Sequence, residues 1–503
     1  MGDFFNNLAL GFGVALTPAN LGFALLGCLV GSLVGVLPGI GPVPTVAILL
    51  PLTFYLDPIS GLIMLSGIFY GAQYGGSTTS ILVNMPGETS SVVTCIDGHQ
   101  MARQGRAGPA LAVAALGSLF AGTVATGIIA WAAPPLAKVG LSFGAPEYFS
   151  LLLVGLIAAV VLAHGSVIKA VAMIILGLVL GLVGTDGNTG GTRFTFGLTM
   201  LIDGIGFVPL AIGVFGLGEV IANLLAPQRS RIIISQRFRD LWPSREDFRL
   251  AWPAVLRGTG LGSLLGVLPG GGATLSAFAA YALEKKVARD PSRFGKGAIE
   301  GVAGPESANN AGAQTSFIPM LTLGIPGNAV MALMIGALTI HGIQPGPQVM
   351  TERPTLFWGL IASMWIGNLM LVIINLPLIS LWVQLLRVPY RLLYLGIIMF
   401  CAIGVYTVNN NPAEVIMTAV FGVFGYVLYR LRCEPAPMLL GFVLGPLMEE
   451  NLRRAMRISS GDPMIFFERP ISLGLLIAAA LLLVMVALPF IRSKREEAFQ
   501  EAT

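Results

Sequence analysis

Apolar residues along this chain run in long unbroken blocks and not at a surface-helix period. Blocks around residues 109–133, 148–163, 166–184, 355–378, 412–429 and 471–491 are long enough to cross, or nearly cross, a hydrocarbon core of about 30 Å. With the shorter blocks between them, the pattern predicts about 10–12 transmembrane helices. Two blocks are interrupted near their middle. "GVLPGIGP" (residues 35–42) and "GVLPGGGA" (266–273) place Pro and several Gly where a helix would run straight, at a cost of about 3 and 1 kcal/mol per residue. Such breaks predict re-entrant or broken helices, because irregular backbone at membrane depth survives only where protein or a water-filled cavity satisfies its polar groups.

The stretches after the two breaks resemble each other as well. "YGGSTTSILVNMPGE" (74–88) comes after the first and "AGAQTSFIPMLTLGIPGN" (311–328) after the second, so each half carries a second Pro-Gly pair, Pro86-Gly87 or Pro326-Gly327. "DGHQMARQGRAGP" (97–109) and "HGIQPGP" (341–347) are a weaker third echo. Internal duplication is the simplest reading. It divides the chain into an N-terminal membrane repeat (1–227), a basic cytoplasmic linker (228–252) and a C-terminal membrane repeat (253–503) that includes the terminal helices.

Charge placement orients the copies. No Lys or Arg precedes Arg103, whereas the second break is flanked by Arg229, Arg231, Arg237, Arg239, Arg245, Arg249 and Arg257 on one side and Lys285, Lys286, Arg289, Arg293 and Lys296 on the other. The positive-inside rule puts both basic flanks in the cytoplasm, so the block between them goes in and comes back. The first block enters from the opposite face. Two inverted-topology repeats are therefore expected, within an all-α polytopic membrane protein.

Composition agrees and narrows the function. Hydrophobic residues make up 55% of the chain and charged residues 11%, with mean hydropathy +0.82, which excludes a soluble domain. No basic n-region or small-residue cleavage site precedes Asp57, so no removable signal peptide is expected. The net charge of +4 suggests the lipid bilayer as environment and no nucleic-acid partner. The 4 Cys and 3 His residues are scattered, which argues against a disulfide framework, a metal centre or an embedded catalytic cluster. The protein is not expected to be an enzyme.

Breaks of this kind bring helix N-termini, which attract anions, close to carbonyl, hydroxyl and amide oxygens, which hold small cations. The candidate substrate-binding residues are Pro38, Gly39, Gly41, Ser77, Thr78, Thr79, Asn84 and Gly87 in the first half. In the second half they are Pro269, Gly270, Gly271, Thr274, Ser307, Asn309, Asn310, Pro326 and Gly327. Asn84, Asn310 and Thr322 are candidate sodium ligands, and sodium is the expected coupling ion. Glu88 and Glu306, beside the motifs, read either as helix-start residues or as coupling-ion ligands. Arg193 reads as an interfacial residue or one near a cavity mouth. A channel built from the same half-helices is the alternative to a transporter.

The set "GVLPGIGP", "YGGSTTSILVNMPGE", "DGHQMARQGRAGPAL", "RFTFG", "GVLPGGG", "PESANNAGA" and "LTLGIPGNAVMALMIGALTIHGIQPGP" resembles the large membrane subunit of tripartite tricarboxylate transporters, the TctA-type permeases. One departure is "TDGN" (185–188), where relatives commonly have Asp-Pro. The resemblance implies a permease of the bacterial inner membrane that imports tricarboxylates or related carboxylates. It also implies a small four-helix membrane subunit and a periplasmic solute-binding protein as partners. Transport would be driven by a sodium or proton gradient, with movement of elevator type. No phosphate-binding G-x-x-x-x-G-K-[ST] loop occurs, in keeping with gradient-driven and not ATP-driven uptake.

Overall fold

Proline at the first turn, where its missing N–H would have no partner anyway, opens one helix after another. The computed structural model describes residues 2–37, 41–162, 166–225, 241–268, 272–385 and 390–487. Helix α1 (Gly2–Ala15) is followed by α2 (Pro18–Val36), α3 (Pro42–Thr53) and α4 (Pro58–Val83), the last three each with Pro in the first turn. Then come α5 (Val92–Arg103), the 34-residue α6 (Ala107–Gly140), α7 (Ala145–Leu162) and α8 (Val167–Gly181). A loop with the short antiparallel pair β1 (Gly184–Thr185) and β2 (Thr192–Arg193) leads to α9 (Phe207–Ala211) and α10 (Gly218–Leu225), which a π-helical turn joins into one rod.

The stretch expected as a linker is helical from Arg245 onward, because Ser244 and Asp247 form a reciprocal capping box that starts α11 (Arg245–Leu265). Residues 226–240 lie outside the described residues. The chain continues through α12 (Gly272–Val287), α13 (Glu300–Thr315), α14 (Phe317–Leu323), α15 (Ala329–Ile340), the short α16 (Gln348–Glu352) and α17 (Pro354–Asn375). It ends with α18 (Ile379–Leu385), α19 (Tyr390–Asn409), α20 (Pro412–Arg430), α21 (Ala436–Ile458), α22 (Ile465–Glu468) and α23 (Pro470–Ala487).

The protein is an all-α polytopic membrane protein. Among the described residues, 5 helices are long and apolar enough to cross a membrane: Pro18–Val36, Ala107–Gly140, Phe207–Leu225, Pro354–Asn375 and Pro412–Arg430. Six shorter apolar helices accompany them, Pro42–Thr53 and Ala329–Ile340 among these. Hydropathy alone misses the two helices at the centre. α4 is buried from Ser60 to Val83, and α13 is buried along its whole length despite Glu300, Glu306, Ser307, Asn309, Asn310 and Gln314. A helix shielded on every side by protein has no need of an apolar surface.

Glycine ridges set how closely these helices approach. A Cβ on Gly27, Gly31 or Gly35 of α2 would stand 2.3, 2.4 and 2.4 Å from the carbonyl oxygens of Met64, Ile68 and Ala72 on α4. In the second half, a Cβ on Gly258 or Gly262 of α11, or on Gly266 that caps it, would stand 2.2, 2.3 and 2.4 Å from those of Gly304, Ala308 and Gly312. Small residues at this spacing let membrane helices touch backbone to backbone. The paired residues rise together in number, so α2 runs parallel to α4 and α11 parallel to α13.

The returning arms run the other way. Gly312 faces Ser276 near the start of α12, and Gly304 faces Glu284 near its end. α12 is therefore antiparallel to α13, and α11–α12 is a hairpin that leaves by the side it entered. Arg257 closes the open end with a two-pronged pair to Glu284, Nε–Oε1 2.8 Å and Nη2–Oε2 2.5 Å. Between the halves, Ser77 of α4 meets Glu306 of α13, and Tyr70 of α4 meets Phe317 of α14 at 5.9 Å between ring centroids. Numbers here run oppositely, so α4 and α13–α14 pass each other antiparallel.

Away from this centre the β1–β2 loop is strapped to α21. Arg193 Nη1 pairs with Glu449 Oε1 at 2.8 Å, and Arg453 bridges Glu449 at 2.6 Å and Asp186 at 3.0 Å. The backbone N–H of Asn188, then the Thr189 hydroxyl and Arg453, hold the Asp186 carboxyl at about 2, below the usual carboxylate range. The "TDGN" departure is thus a tight turn in which Asp186 accepts the N–H of Asn188 at 2.9 Å.

The glycine contacts predict a sharp positional difference within one helix. Gly262→Ala should destabilise the protein by about 1–3 kcal/mol, as overpacking does. Gly260→Ala, where an added Cβ meets nothing within 4 Å, should be neutral or slightly stabilising. Unfolding midpoints of the two variants in detergent check this, and equal midpoints would contradict the close contact of α11 with α13.

Candidate functional site

The two Pro-Gly motifs are one backbone device used twice. α4 stops at Asn84 with left-handed φ 57° and ψ 38°, and α14 stops at Gly324 with φ 72° and ψ 21°. Gly and, next to it, Asn reach that conformation at least cost. "NMPGE" (84–88) and "GIPGN" (324–328) therefore share a left-handed stop, a Pro-Gly pair and a residue that caps the next helical turn. Glu88 shares a capping box with Ser91 around the 3-10 turn Thr89–Ser91, which leads into α5. Asn328 Oδ1 accepts the N–H of Met331 at 2.9 Å to start α15.

Each cap folds back onto the helix just left. A Cβ on Gly76 would lie 3.2 Å from Glu88 Cγ, and Asn328 Nδ2 donates to Ser316 Oγ at 3.2 Å. The hairpin breaks reach the same level. A Cβ on Gly87 would stand 2.3 Å from the carbonyl oxygen of Gly35, and Thr79 Oγ1 donates to that of Val36 at 2.8 Å. In the second half, a Cβ on Gly272 would lie 3.5 Å from Asn328 Nδ2. The halves join where the hydroxyls of exposed Thr89 and partly exposed Thr274 come within 3.0 Å, and α3 packs on α15.

Four helical starts thus gather: α3 at Pro42, the turn at Thr89, α12 at Gly272 and α15 at Ala329. Their dipoles favour an anion, although one N–H at each of three starts is already taken, Gly41 by Glu219, Ser91 by Glu88 and Met331 by Asn328. Residues 41–45, 84–91, 272–276 and 324–331 contain no Lys or Arg, so backbone and neutral side chains would carry recognition.

The expected binding residues divide into several groups. Thr79, Gly87, Thr274, Pro326 and Gly327 sit at the gathered breaks, with Gly41 as the N-cap of α3. Ser77, Ser307 and Asn310 lie where α4 and α13 meet α6, and Asn309 reaches the first Pro-Gly break. Asn310 Nδ2 donates to Ser118 Oγ on α6 at 2.7 Å, and Asn309 Nδ2 to Glu88 Oε1 at 3.2 Å. Ser307 Oγ faces Gly117 of α6 and is buried without a partner among the described residues. Thr78 lines a cavity of about 20 Å³ with Tyr74, Ser77, Ser118 and Asn375, enough for about one water. Pro38, Gly39, Pro269, Gly270 and Gly271 lie outside the described residues. His99 is within α5 and its Nδ1 lies 3.1 Å from the carbonyl oxygen of Ile81.

No hydrogen bond among the described residues joins any two of Asn84, Asn310 and Thr322, the candidate sodium ligands. Asn84 is an exposed helix stop, and Thr322 donates to its own helix at the Ile318 carbonyl, 2.7 Å away. Of the two acids, Glu306 is buried and Glu88 is half-buried. Glu306, 1% exposed, accepts Ser77 Oγ on Oε2 at 2.5 Å and Thr94 Oγ1 on Oε1. Glu88 accepts Ser90 Oγ on Oε1 at 2.7 Å as well as Asn309. Neither acid forms an ion pair among the described residues. A buried carboxylate without a counter-charge is costly, and a proton or a bound cation relieves it. No group of three or more His, Cys, Asp or Glu side chains among the described residues is placed to hold a metal ion. Gln73, Ser90 and Thr94 escaped the reading of the sequence. The repeated "GAQ" at 71–73 and 312–314 was the signal for Gln73.

A model of the tripartite tricarboxylate transporter TctA family matches residues 21–440. The chain is 60% identical over 501 residues, 100% of both chains, to an uncharacterized 52.8 kDa protein in the TAR-I ttuC' 3' region of Agrobacterium vitis. A second Agrobacterium vitis sequence, an uncharacterized protein in the TAR-II ttuC' 3' region, is 61% identical over 240 residues, 48% of this chain and 99% of its own length. No solved structure matches.

The left-handed stop separates two roles for Asn84. Asn84→Gly should leave abundance and uptake close to wild type, since Gly324 fills the equivalent place. Asn84→Val should lower the unfolding midpoint, because a β-branched residue resists positive φ. Loss of uptake in Asn84→Gly at normal abundance would instead make the amide a ligand.

Proposed function

Because the chain belongs to the tripartite tricarboxylate transporter TctA family, we propose that it is the large permease subunit of a binding-protein-dependent secondary transporter for tricarboxylates or related carboxylates. The observation that carries this reading is the gathering of four helical starts, with no Lys or Arg in the breaks, at the meeting of two similarly built halves. A carboxylate held by N–H groups and hydroxyls is bound firmly enough to recognise and loosely enough to release.

The halves act as inverted repeats in this proposal. In support, each is built as hairpin, long buried helix, left-handed stop and Pro-Gly cap, and their long helices pass antiparallel. Glycine ridges lock each hairpin to its long helix, which suits rigid-body movement of an elevator kind. The two partners are a small four-helix membrane subunit and a periplasmic solute-binding protein, and the membrane is the bacterial inner membrane. A tricarboxylate brings up to three negative charges, each opposed by about 2.3 kcal/mol per 100 mV of inside-negative potential. Cations must therefore accompany it, and sodium suits the oxygen-rich, histidine-poor centre.

Reconstituted with its small subunit, the protein should accumulate carboxylate when binding protein is outside and a sodium gradient points inward. Accumulation measured with labelled citrate and related acids checks this. Uptake driven by a pH gradient in sodium-free buffer would overturn sodium coupling. Equal uptake without binding protein would overturn the proposed delivery, and non-saturable flux would make the protein a channel.

A further inference from the structure

We infer that Gln73, Glu88, Ser90 and Asn309 form a sodium site shared by the two halves, a reading that rests on the transport function proposed above. Gln73 comes from α4, Glu88 and Ser90 from the first Pro-Gly break, and Asn309 from α13. Gln73, Ser90 and Asn309 are 1%, 2% and 0% exposed. Their polar atoms meet around one carboxylate. Ser90 Oγ lies 2.7 Å from Glu88 Oε1 and 3.2 Å from Gln73 Oε1, and Asn309 Nδ2 lies 3.2 Å from the same Glu88 oxygen.

The hydrogen bonds within this cluster do not close. Asn309 Oδ1 is buried and has no partner among the described residues, and a half-turn of the amide would bring it to Glu88 in place of the Nδ2 that now touches it. Ser90 has a single hydroxyl proton for two acceptors, so either Glu88 Oε1 or Gln73 Oε1 goes without it. A bound cation supplies the positive partner that buried oxygens without donors lack. The set offers one carboxylate and otherwise neutral amide and hydroxyl oxygens, with no sulfur or imidazole, which is hard-cation chemistry. One negative charge balances a monovalent ion, whereas calcium is held by several oxygen ligands, commonly with more than one carboxylate.

The position of Glu88 links ion to substrate. Glu88 caps the helical turn at Thr89, one of the four starts that face the candidate anion site. With the site empty, its charge repels an incoming carboxylate and occupies the positive end of that turn. With sodium bound, the repulsion is offset and the turn is free to attract the anion. Sodium should therefore bind before the carboxylate and tighten it.

The test measures sodium binding apart from transport, by thermal unfolding of the full chain in nanodiscs in NaCl or KCl at constant ionic strength. The wild-type midpoint should rise with NaCl and not with KCl. Glu88→Gln should abolish the rise, and Asn309→Ala should weaken sodium about tenfold or more, as loss of a group in a metal site does. Should Asn309→Ala fail to fold, Asn309→Asp serves in its place, since a second carboxylate should confer a response to calcium. Ser263→Ala, which removes another buried hydroxyl without a partner but one on α11, should respond as wild type does. A wild-type midpoint indifferent to sodium, or cluster variants with the full sodium response, would overturn the site. Sodium-driven uptake with unaltered cluster variants would overturn this site and leave the transport reading standing. Sodium binding lost in these variants, without carboxylate uptake by the wild type, would support the site and overturn the transport reading.

Discussion

Backbone meets backbone along the glycine ridges, and everything at the centre of the molecule depends on that approach. With a methyl group on Gly31 or Gly262, a Cβ would stand 2.4 or 2.3 Å from a carbonyl oxygen, well inside van der Waals contact. The hairpins would have to lift from α4 and α13. The breaks at their tips would then lose the neighbours that satisfy them, such as the Thr79 hydroxyl on the Val36 carbonyl. Irregular backbone could not remain at that depth. Packing of small residues is thus the condition for polar chemistry in the interior.

From that condition the polar centre follows. α13 is a helix of mostly small and polar residues with no face turned to lipid, and it supplies Glu306 to Ser77 and Thr94, Asn310 to Ser118, and Asn309 to Glu88. Every one of these links crosses between elements far apart in sequence. They fix the position of the second half's long helix against the first half's breaks. Anion-attracting helical starts and cation-attracting acids consequently share one region, which is the arrangement that moving an anion with cations requires.

The membrane class and the position of the breaks were legible in the sequence, because long apolar blocks and Pro-Gly pairs are local signals. The return of the second hairpin was legible too, from Arg245, Arg249 and Arg257 on its entering arm and Lys285 and Lys286 at the end of its returning arm. α13 was less so, since hydropathy treats "PESANNAGAQT" as polar chain, and only its neighbours α4, α6, α11 and α12 explain its burial. Asn84 drew attention as an oxygen ligand, and it also holds the left-handed stop of α4, which the sequence did not disclose. Ser90 gave no local signal, and Gln73 only the repeated "GAQ". Their meeting with Asn309 depends on a fold-back after Pro86-Gly87 that no spacing rule conveys.

The meeting of the two halves at the breaks is the central claim, and Thr89 and Thr274, with hydroxyls 3.0 Å apart, report on it directly. In a chain whose 4 native cysteines are replaced, the Thr89→Cys/Thr274→Cys pair should form a disulfide on mild oxidation in membranes, since such contact fits the reach of that bond. Saturating carboxylate should slow the reaction by occupying the space beside it. Failure of the pair to cross-link at normal abundance, while single variants remain reactive to thiol reagents, would contradict the convergence on which the account rests.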